Sequence, residues 1–256
     1  MSKALDTRRL ADAPFKLIET PAHAQKSSKP YDQYVEAASV MALGHNVFIR
    51  GMNSIYKQAP HIKPEDHADF INYAKCWAEI LDAHHKMEET SLFPQIEAKT
   101  GEIGIMEVSV EQHHAFLPGL AAYKEYLSGC TNKPDTFSGT RLISIIDSFA
   151  PELLIHLSDE IPTLLALSKF GNQLRLLDMV NAESQKSPLH QSITGGTPFF
   201  FRNLDVEFED GIWKQWPPIP APVWWFLQNS FVAWNSRWWR FAGCDASGKL
   251  RELPTL

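Results

Sequence analysis

The chain has 256 residues, of which 44% are hydrophobic, so it is long enough to bury one large core. Lysine and arginine total 24 against 30 aspartate and glutamate residues, which gives a net charge of −6. That balance gives no reason to expect a nucleic acid or an anionic membrane as a partner.

Hydrophobic periodicity predicts four long helices after an irregular, proline-containing N-terminal arm that spans residues 1–30. Polar or proline-containing segments separate the helical stretches. The predicted helices span residues 34–57, 65–99, 105–127 and 140–168. Helices of this length joined by short turns are typical of an antiparallel up-down four-helix bundle. The predicted fold class is therefore all-α, with the bundle in residues 31–170.

Residues 171–256 form a C-terminal extension of different composition, which we expect to pack on the bundle. The extension holds seven of the eight tryptophans, and its segment 213–225 has too many prolines to be helical throughout. Helices are predicted over residues 172–181 and 223–241, with a loop at 182–197. The tryptophans could form a second hydrophobic layer, a lid over a substrate pocket, or an interfacial membrane helix with few basic residues.

A cytoplasmic location is expected, because the N-terminal sequence lacks the apolar segment of a secretion signal. The sequence has no run of about 18 apolar residues, so no transmembrane helix is predicted. The three cysteines are Cys76, Cys130 and Cys244, and no two of them form a CxxC pair. An odd, widely spaced set predicts free thiols in a reducing compartment.

Six of the ten histidines lie in the interior of the four predicted helices, away from the helix edges, with at least one in each helix. The apolar neighbours one turn away select one inward-facing histidine per helix. In the second and fourth helices a glutamate follows that histidine four residues later and shares its face. The inward-facing residues are His45, His84, Glu88, His113, His156 and Glu160.

The other histidines are predicted to lie on solvated faces or in loops. His85 and Glu89 point further round the second helix, which favours a solvated charge cluster, and His114 lies on a polar face. Glu152, one turn before His156, remains open as a ligand or as a partner of a ligand. The histidines expected in loops or at helix edges are His23, His61, His67 and His190.

Four buried histidines and two buried carboxylates in one core would be very costly without a compensating cation. A pair of metal ions provides that compensation. Imidazole and carboxylate ligands without a thiolate suit iron better than manganese or zinc. Glu88 and Glu160 come from different helices, and they are the natural bridges between two metals.

This pattern resembles the hemerythrin HHE cation-binding family over about residues 34–168. The matching segments are GHNVFIR, HHKMEETSLFP, EQHHAFLPGL and HLSDEI, in the order His, His-xxx-Glu, His, His-xxx-Glu. The extension, with WWRFAGCDASGKLREL, is similar to that of fungal members. The resemblance implies an up-down bundle that holds two iron ions as a non-haem di-iron centre, with dioxygen as a ligand or co-substrate. The implied iron ligands are His45, His84, Glu88, His113, His156 and Glu160.

Two departures separate the chain from the oxygen-carrying members of that family. Those proteins have a second histidine one turn away on the third helix, where this chain has Ser109. Their fourth-helix motif ends in an aspartate at a spacing of five, whereas Glu160 follows His156 at four. One imidazole fewer should leave a more open coordination position, which favours chemistry or labile binding over oxygen transport.

We therefore expect an oxidase or oxygenase that acts on a small organic substrate. The alternative is a non-catalytic protein that binds, senses or stores iron, oxygen or nitric oxide. A ferritin-like carboxylate bundle would need two Glu-xx-His motifs on separate helices, and these helices have only one, ending at His114. The sequence has no HExxH zinc motif.

Overall fold

The computed structural model describes residues 5–26, 29–190, 192, 194–220, 222–223 and 233–256, with the backbone alone for residues 185–190. Over these ranges the elements are helices and turns, without strands. The α-helices are α1 (Pro21–Ala24), α2 (Gln33–Gln58), α3 (His67–Met87), α4 (Phe93–Thr100), α5 (Glu107–Thr131), α6 (Gly139–Asp147), α7 (Ala150–Ala166), α8 (Leu176–His190) and α9 (Gly196–Asn203). Shorter 3₁₀ turns span Thr7–Arg9, Ala59–His61, Pro64–Asp66, Pro134–Thr136, Leu167–Gln173, Phe208–Gly211 and Trp238–Phe241. The predicted all-α class is confirmed for this part of the chain.

Four helices surround a common core. Helix α2 packs against α3 and α7, and α5 packs against the same two helices. Their apolar faces bury large side chains, including Phe70, Trp77, Phe116 and Leu153, in one hydrophobic cluster. Burial of this apolar surface is the main favourable contribution to helix packing.

The second predicted helix contains a π-helical turn, Glu88–Leu92, between α3 and α4. The N–H of Phe93 donates to the carbonyl of Glu88, five residues back. Pro94 follows in the first turn of α4, where its missing N–H is tolerated. Single π turns of this kind occur frequently at functional sites.

The prediction of one continuous fourth helix was wrong. The segment forms two helices, α6 and α7, which are separated at Ser148 and Phe149. Pro151 lies in the first turn of α7, where proline favours a new helix start over an uninterrupted one.

The extension is helical over a different range from the predicted one. Helix α8 covers much of the predicted loop at 182–197, and α9 follows it. Nine of the nineteen residues of the predicted helix at 223–241 lie outside the described residues, at 224–232, and they include Trp224 and Trp225. Its last residues form the 3₁₀ turn Trp238–Phe241.

The extension shares its core with the bundle helices. The Phe199 ring of α9 approaches α2 so closely that a Cβ added at Gly51 would lie 2.6 Å from it. Phe241 is buried against Phe70, with ring centroids 5.1 Å apart. Trp213 and Trp239 are buried as well, and of the described tryptophans Trp234 is exposed.

Leu10 and Ala11 of the N-terminal arm are buried, although that arm has little regular structure. All three cysteines are buried with free thiols, as predicted. Among the described helices, none combines the length and hydropathy that crossing a membrane would require.

Candidate metal centre

All six inward-facing residues meet in one buried cluster. Four helices and the π turn contribute to it, because each presents its histidine or glutamate at the middle of its apolar face. The contributions are His45 from α2, His84 from α3, Glu88 from the π turn, His113 from α5, and His156 and Glu160 from α7. A seventh residue, His85 of α3, lies in the same cluster. Metal ligation by these residues remains a prediction.

The cluster divides into two sets of potential ligands, and within each set the ligand atoms lie within 4.8 Å of one another. We call these sets the His84 position and the His85 position. The His84 position consists of His45, His84, Glu88 and Glu160. The His85 position consists of His85, Glu88, His113 and His156.

Glu88 belongs to both positions. Its Oε1 lies 3.0 Å from Nε2 of His84, and its Oε2 lies 3.6 Å from Nε2 of His113. Each carboxylate oxygen therefore faces a different position, as a carboxylate that bridges two metals requires.

The spacing of the ring nitrogens, which lie within hydrogen-bond distance of one another, is also that of neighbouring ligands in a coordination sphere. Nε2 of His45 lies 3.1 Å from Nε2 of His84, and the same atoms of His113 and His156 lie 3.0 Å apart. Ligands at right angles around an ion, with bonds of about 2.1 Å, are about 3.0 Å apart. These histidine pairs are thus spaced as neighbouring ligands of one ion.

Several buried polar atoms of the cluster have no hydrogen-bond partner among the described residues. They are both ring nitrogens of His85, Nδ1 of His156, and both carboxylate oxygens of Glu88 and of Glu160. Each such atom costs roughly 1–3 kcal/mol when it is left unsatisfied, and more if it is charged. Two cations would satisfy most of these atoms at once, so the residues present fit a metal pair.

Two of the histidines are oriented through their outer nitrogens. Nδ1–H of His45 donates to the carbonyl of Leu157 at 2.8 Å, and Nδ1–H of His113 donates to Glu89 at 2.6 Å. These hydrogen bonds fix the tautomer that leaves Nε2 unprotonated and directed into the cluster. A carboxylate partner such as Glu89 also makes the imidazole a stronger ligand.

Burial determines most of the protonation behaviour. Burial, reinforced by the neighbouring His45, lowers the pKa of His84 to about 3, and burial also lowers the pKa of His85 and of His156. Burial and the nearby Glu160 raise the pKa of Glu88. Burial lowers the pKa of His45, but Glu160 and Glu88 outweigh this effect and leave that pKa raised. Most of the imidazoles are therefore neutral, which is the form that binds metals.

The expectation that His85 lies on a solvated face was wrong, since this side chain is only 4% exposed. Glu88 follows His84 by four residues and His85 by three, and both spacings place side chains on neighbouring faces of a helix. The HHxxE spacing could therefore have identified His85. The ligands of two metals occupy a wider stripe of the helix than the single face that carries His84 and Glu88.

The other candidate residues differ in burial and in contact with the cluster. Glu89 is partly exposed and contacts the cluster through His113. His114 and Glu152 are exposed and lie away from the cluster. His67, expected at the solvated surface, is buried, and its Nδ1–H donates to the carbonyl of Pro134. His23 and His61 are exposed, and the side chain of His190 lies outside the described residues.

The helical fold and the buried cluster of histidines and carboxylates define a class of metal-binding helical proteins. The family model described as "Hemerythrin HHE cation binding domain" matches residues 37–167, and the chain belongs to that family. It is 36% identical over 242 residues to "Dimeric xanthone biosynthesis cluster protein R11" of Cryptosporiopsis sp. (strain 8999), covering 94% of this chain and 90% of that protein. No solved structure matches the chain.

Proposed function

We propose that the chain is an antiparallel up-down four-helix bundle with a non-haem di-iron centre, and that it uses dioxygen to oxidise a small organic substrate. The observation that carries this proposal is the pair of buried ligand sets that share Glu88. When bound, iron would carry electrons from the substrate, which is oxidised, to dioxygen, which is reduced.

The donor set supports iron as the metal. The His85 position offers three imidazoles and one carboxylate, and the His84 position offers two imidazoles and two carboxylates. Neither set includes a thiolate, and nitrogen–oxygen sets of this kind are typical of non-haem iron. The two negative carboxylates would offset part of the charge of two cations in the buried cluster.

Two glutamate side chains lie between the two positions. Glu88 directs one oxygen to each position. Oε2 of Glu160 lies 3.3 Å from Nε2 of His45 and 4.0 Å from Nε2 of His156, so it too lies between the positions. Glu160 could therefore contact one metal or both without a change of backbone.

The relative from Cryptosporiopsis supports an enzymatic role over storage or sensing. Its name assigns it to a biosynthesis cluster for a dimeric xanthone. The similarity covers 94% of this chain, so it extends beyond residues 37–167 into the C-terminal extension. We infer that this chain acts on a small organic molecule in a comparable biosynthetic setting. The three buried thiols fit the predicted cytoplasmic location.

The metal content per chain tests the proposal directly. We expect about two iron ions per chain after expression with iron, and Mössbauer spectra of a coupled pair that change on anaerobic reduction and return in air. A single zinc ion, or no iron, would contradict the di-iron assignment.

Oxygen consumption distinguishes the enzyme from the non-catalytic alternative. An oxidase should take up dioxygen repeatedly while a substrate is present. A sensor or storage protein should form one stable adduct with dioxygen or nitric oxide and then stop. The second result would refute the enzymatic part of the proposal and leave the iron centre standing.

A further inference from the structure

A cavity of about 170 Å³ lies beside the His84 position. Helices α2, α3, α8 and α9 contribute to its wall, together with the segment after α9. His84 is the residue that joins the cavity to the cluster, because it both lines the cavity and belongs to the potential ligands. Its side chain is 12% exposed, whereas those of His45, Glu88, His113, His156 and Glu160 are fully buried.

The cavity wall is mainly apolar and aromatic. Phe48 lies next to His84, with ring centroids 4.9 Å apart, and Phe200 and Trp216 line the wall contributed by the extension. The rings of Phe200 and Trp216 contact each other, with centroids 5.9 Å apart. An apolar cavity of about 150 Å³ can hold a benzene molecule, so this space suits one six-membered ring with a small substituent.

The polar groups of the wall are few, and the charged one among them is acidic. Glu183 lines the cavity and accepts hydrogen bonds from Ser91 and Gln95. Ser184 and Thr197 supply hydroxyl groups. Among the described residues no lysine or arginine lines the cavity, so this part of the wall offers no cation to a carboxylate, phosphate or sulfonate.

We propose that this cavity is the substrate pocket of the iron centre and that it binds an uncharged aromatic ring, such as that of a phenol, with one edge towards His84. This inference rests on the proposed function, and it adds the class of substrate and the side of approach. The C-terminal extension lines part of the pocket, so the bundle helices and the extension together determine which molecules reach the metal.

Gly44 offers a way to fill the pocket without disturbing its wall. It lines the cavity from α2, and a Cβ built at Gly44 meets no atom within 4 Å. The side chain of a Gly44→Leu variant would therefore occupy space that a ring needs. Since glycine is a weak helix former, leucine also favours helix α2.

Gly129 provides the matched control. It too is a glycine inside a helix, α5, with no atom within 4 Å of an added Cβ, and it is exposed away from the cavity. Gly129→Leu makes the same chemical change at a position that does not line the pocket. Iron content and thermal unfolding of both variants establish that the fold and the centre are retained.

The experiment measures phenol binding by calorimetry on the iron-loaded protein and its two leucine variants. Proton relaxation of the bound phenol is measured with iron and, for comparison, with diamagnetic zinc. We expect millimolar or tighter binding to the unmodified protein, as fragments of this size allow. We also expect at least tenfold weaker binding to Gly44→Leu, no change in Gly129→Leu, and iron-dependent broadening of the phenol signals.

Three results would overturn the pocket assignment: no phenol binding to the iron-loaded protein, equal binding to Gly44→Leu, or binding without iron-dependent broadening. Failure of the proposed function looks different. A protein that takes up no iron but binds phenol in a Gly44-dependent manner would refute the iron chemistry and keep the pocket.

Benzenesulfonate tests the charge preference, because it has the same ring, carries a negative charge and is a poor ligand for iron. We expect it to bind at least tenfold more weakly than phenol. Equal or tighter binding of benzenesulfonate would show that the pocket selects an anion and would refute the uncharged class of substrate.

Discussion

The His84 and His85 positions have similar potential ligands and very different surroundings. The His84 position borders the cavity through a partly exposed imidazole. The His85 position is closed: His85 packs against Phe116 with ring centroids 4.8 Å apart, and Phe93 stacks on His113. His84 and His85 are adjacent in α3, yet of the two positions named after them only the His84 position borders the described cavity.

The difference follows from helix geometry. Successive residues of an α-helix point about 100° apart, so His84 and His85 diverge while Glu88, one turn later, lies below both. His84 faces α2 and the extension, whereas His85 faces α5. On the proposed function, we therefore expect substrate and dioxygen to approach the His84 position and the His85 position mainly to hold a metal.

Removing the shared ligand should have the largest effect, because it acts on both positions. Glu88→Gln keeps the shape of the side chain but removes the negative charge that would lie between two cations. We expect the iron content to fall from about two ions per chain towards zero. The measurement is metal analysis after gel filtration, with Glu111→Gln, at an exposed carboxylate of α5, as the control.

Thermal unfolding shows whether the lower iron content of Glu88→Gln reflects a lost ligand or a misfolded protein. Both oxygens of Glu88 are buried without a hydrogen-bond partner among the described residues, so the metal-free protein should be no less stable with glutamine. If metal-free Glu88→Gln unfolds at a much lower temperature than the metal-free unmodified protein, this carboxylate stabilises the fold rather than binding a metal.

The next largest effect should distinguish the two positions. His113→Ala removes a ligand of the His85 position alone, and His84→Ala removes one of the His84 position alone. We expect each variant to keep about one iron ion per chain, with Mössbauer spectra of an uncoupled ion in place of a coupled pair. Full retention of the coupled pair in either variant would contradict the assignment of that histidine.

A comparison of His85 with His114 tests whether His85 binds a metal. Both were predicted to be solvated, and the structure buries His85 while leaving His114 exposed. His85→Ala should weaken iron binding at the His85 position by about 100-fold, whereas His114→Ala should leave it unchanged. Competition for iron with a chelator measures both affinities. Equal affinities for the two variants would mean that His85 packs within the cluster without binding metal.

Periodicity was sufficient to predict the all-α class and the meeting of six residues, because an inward histidine needs only apolar neighbours one turn away. It could not predict that α6 and α7 are separate helices, since Pro151 is compatible with both a kink and a new start. It also missed the role of Glu89, which depends on a contact with His113 from another helix. A cavity lined by residues distant in sequence, such as Phe48 and Phe200, leaves no local pattern.

The smallest of these effects should come from Glu89, which supports a ligand without belonging to either position. Its carboxylate accepts the Nδ1–H of His113 at 2.6 Å, and Glu89→Gln keeps an acceptor there while removing the charge. We expect about tenfold weaker iron binding at the His85 position, roughly 1.4 kcal/mol, with the coupled pair retained at saturating iron. Chelator competition gives the affinity and Mössbauer spectroscopy the coupling. Loss of an ion even at saturating iron would show that Glu89 itself binds the metal, whereas an unchanged affinity would mean that the closed packing around His113 is enough to hold the imidazole in place.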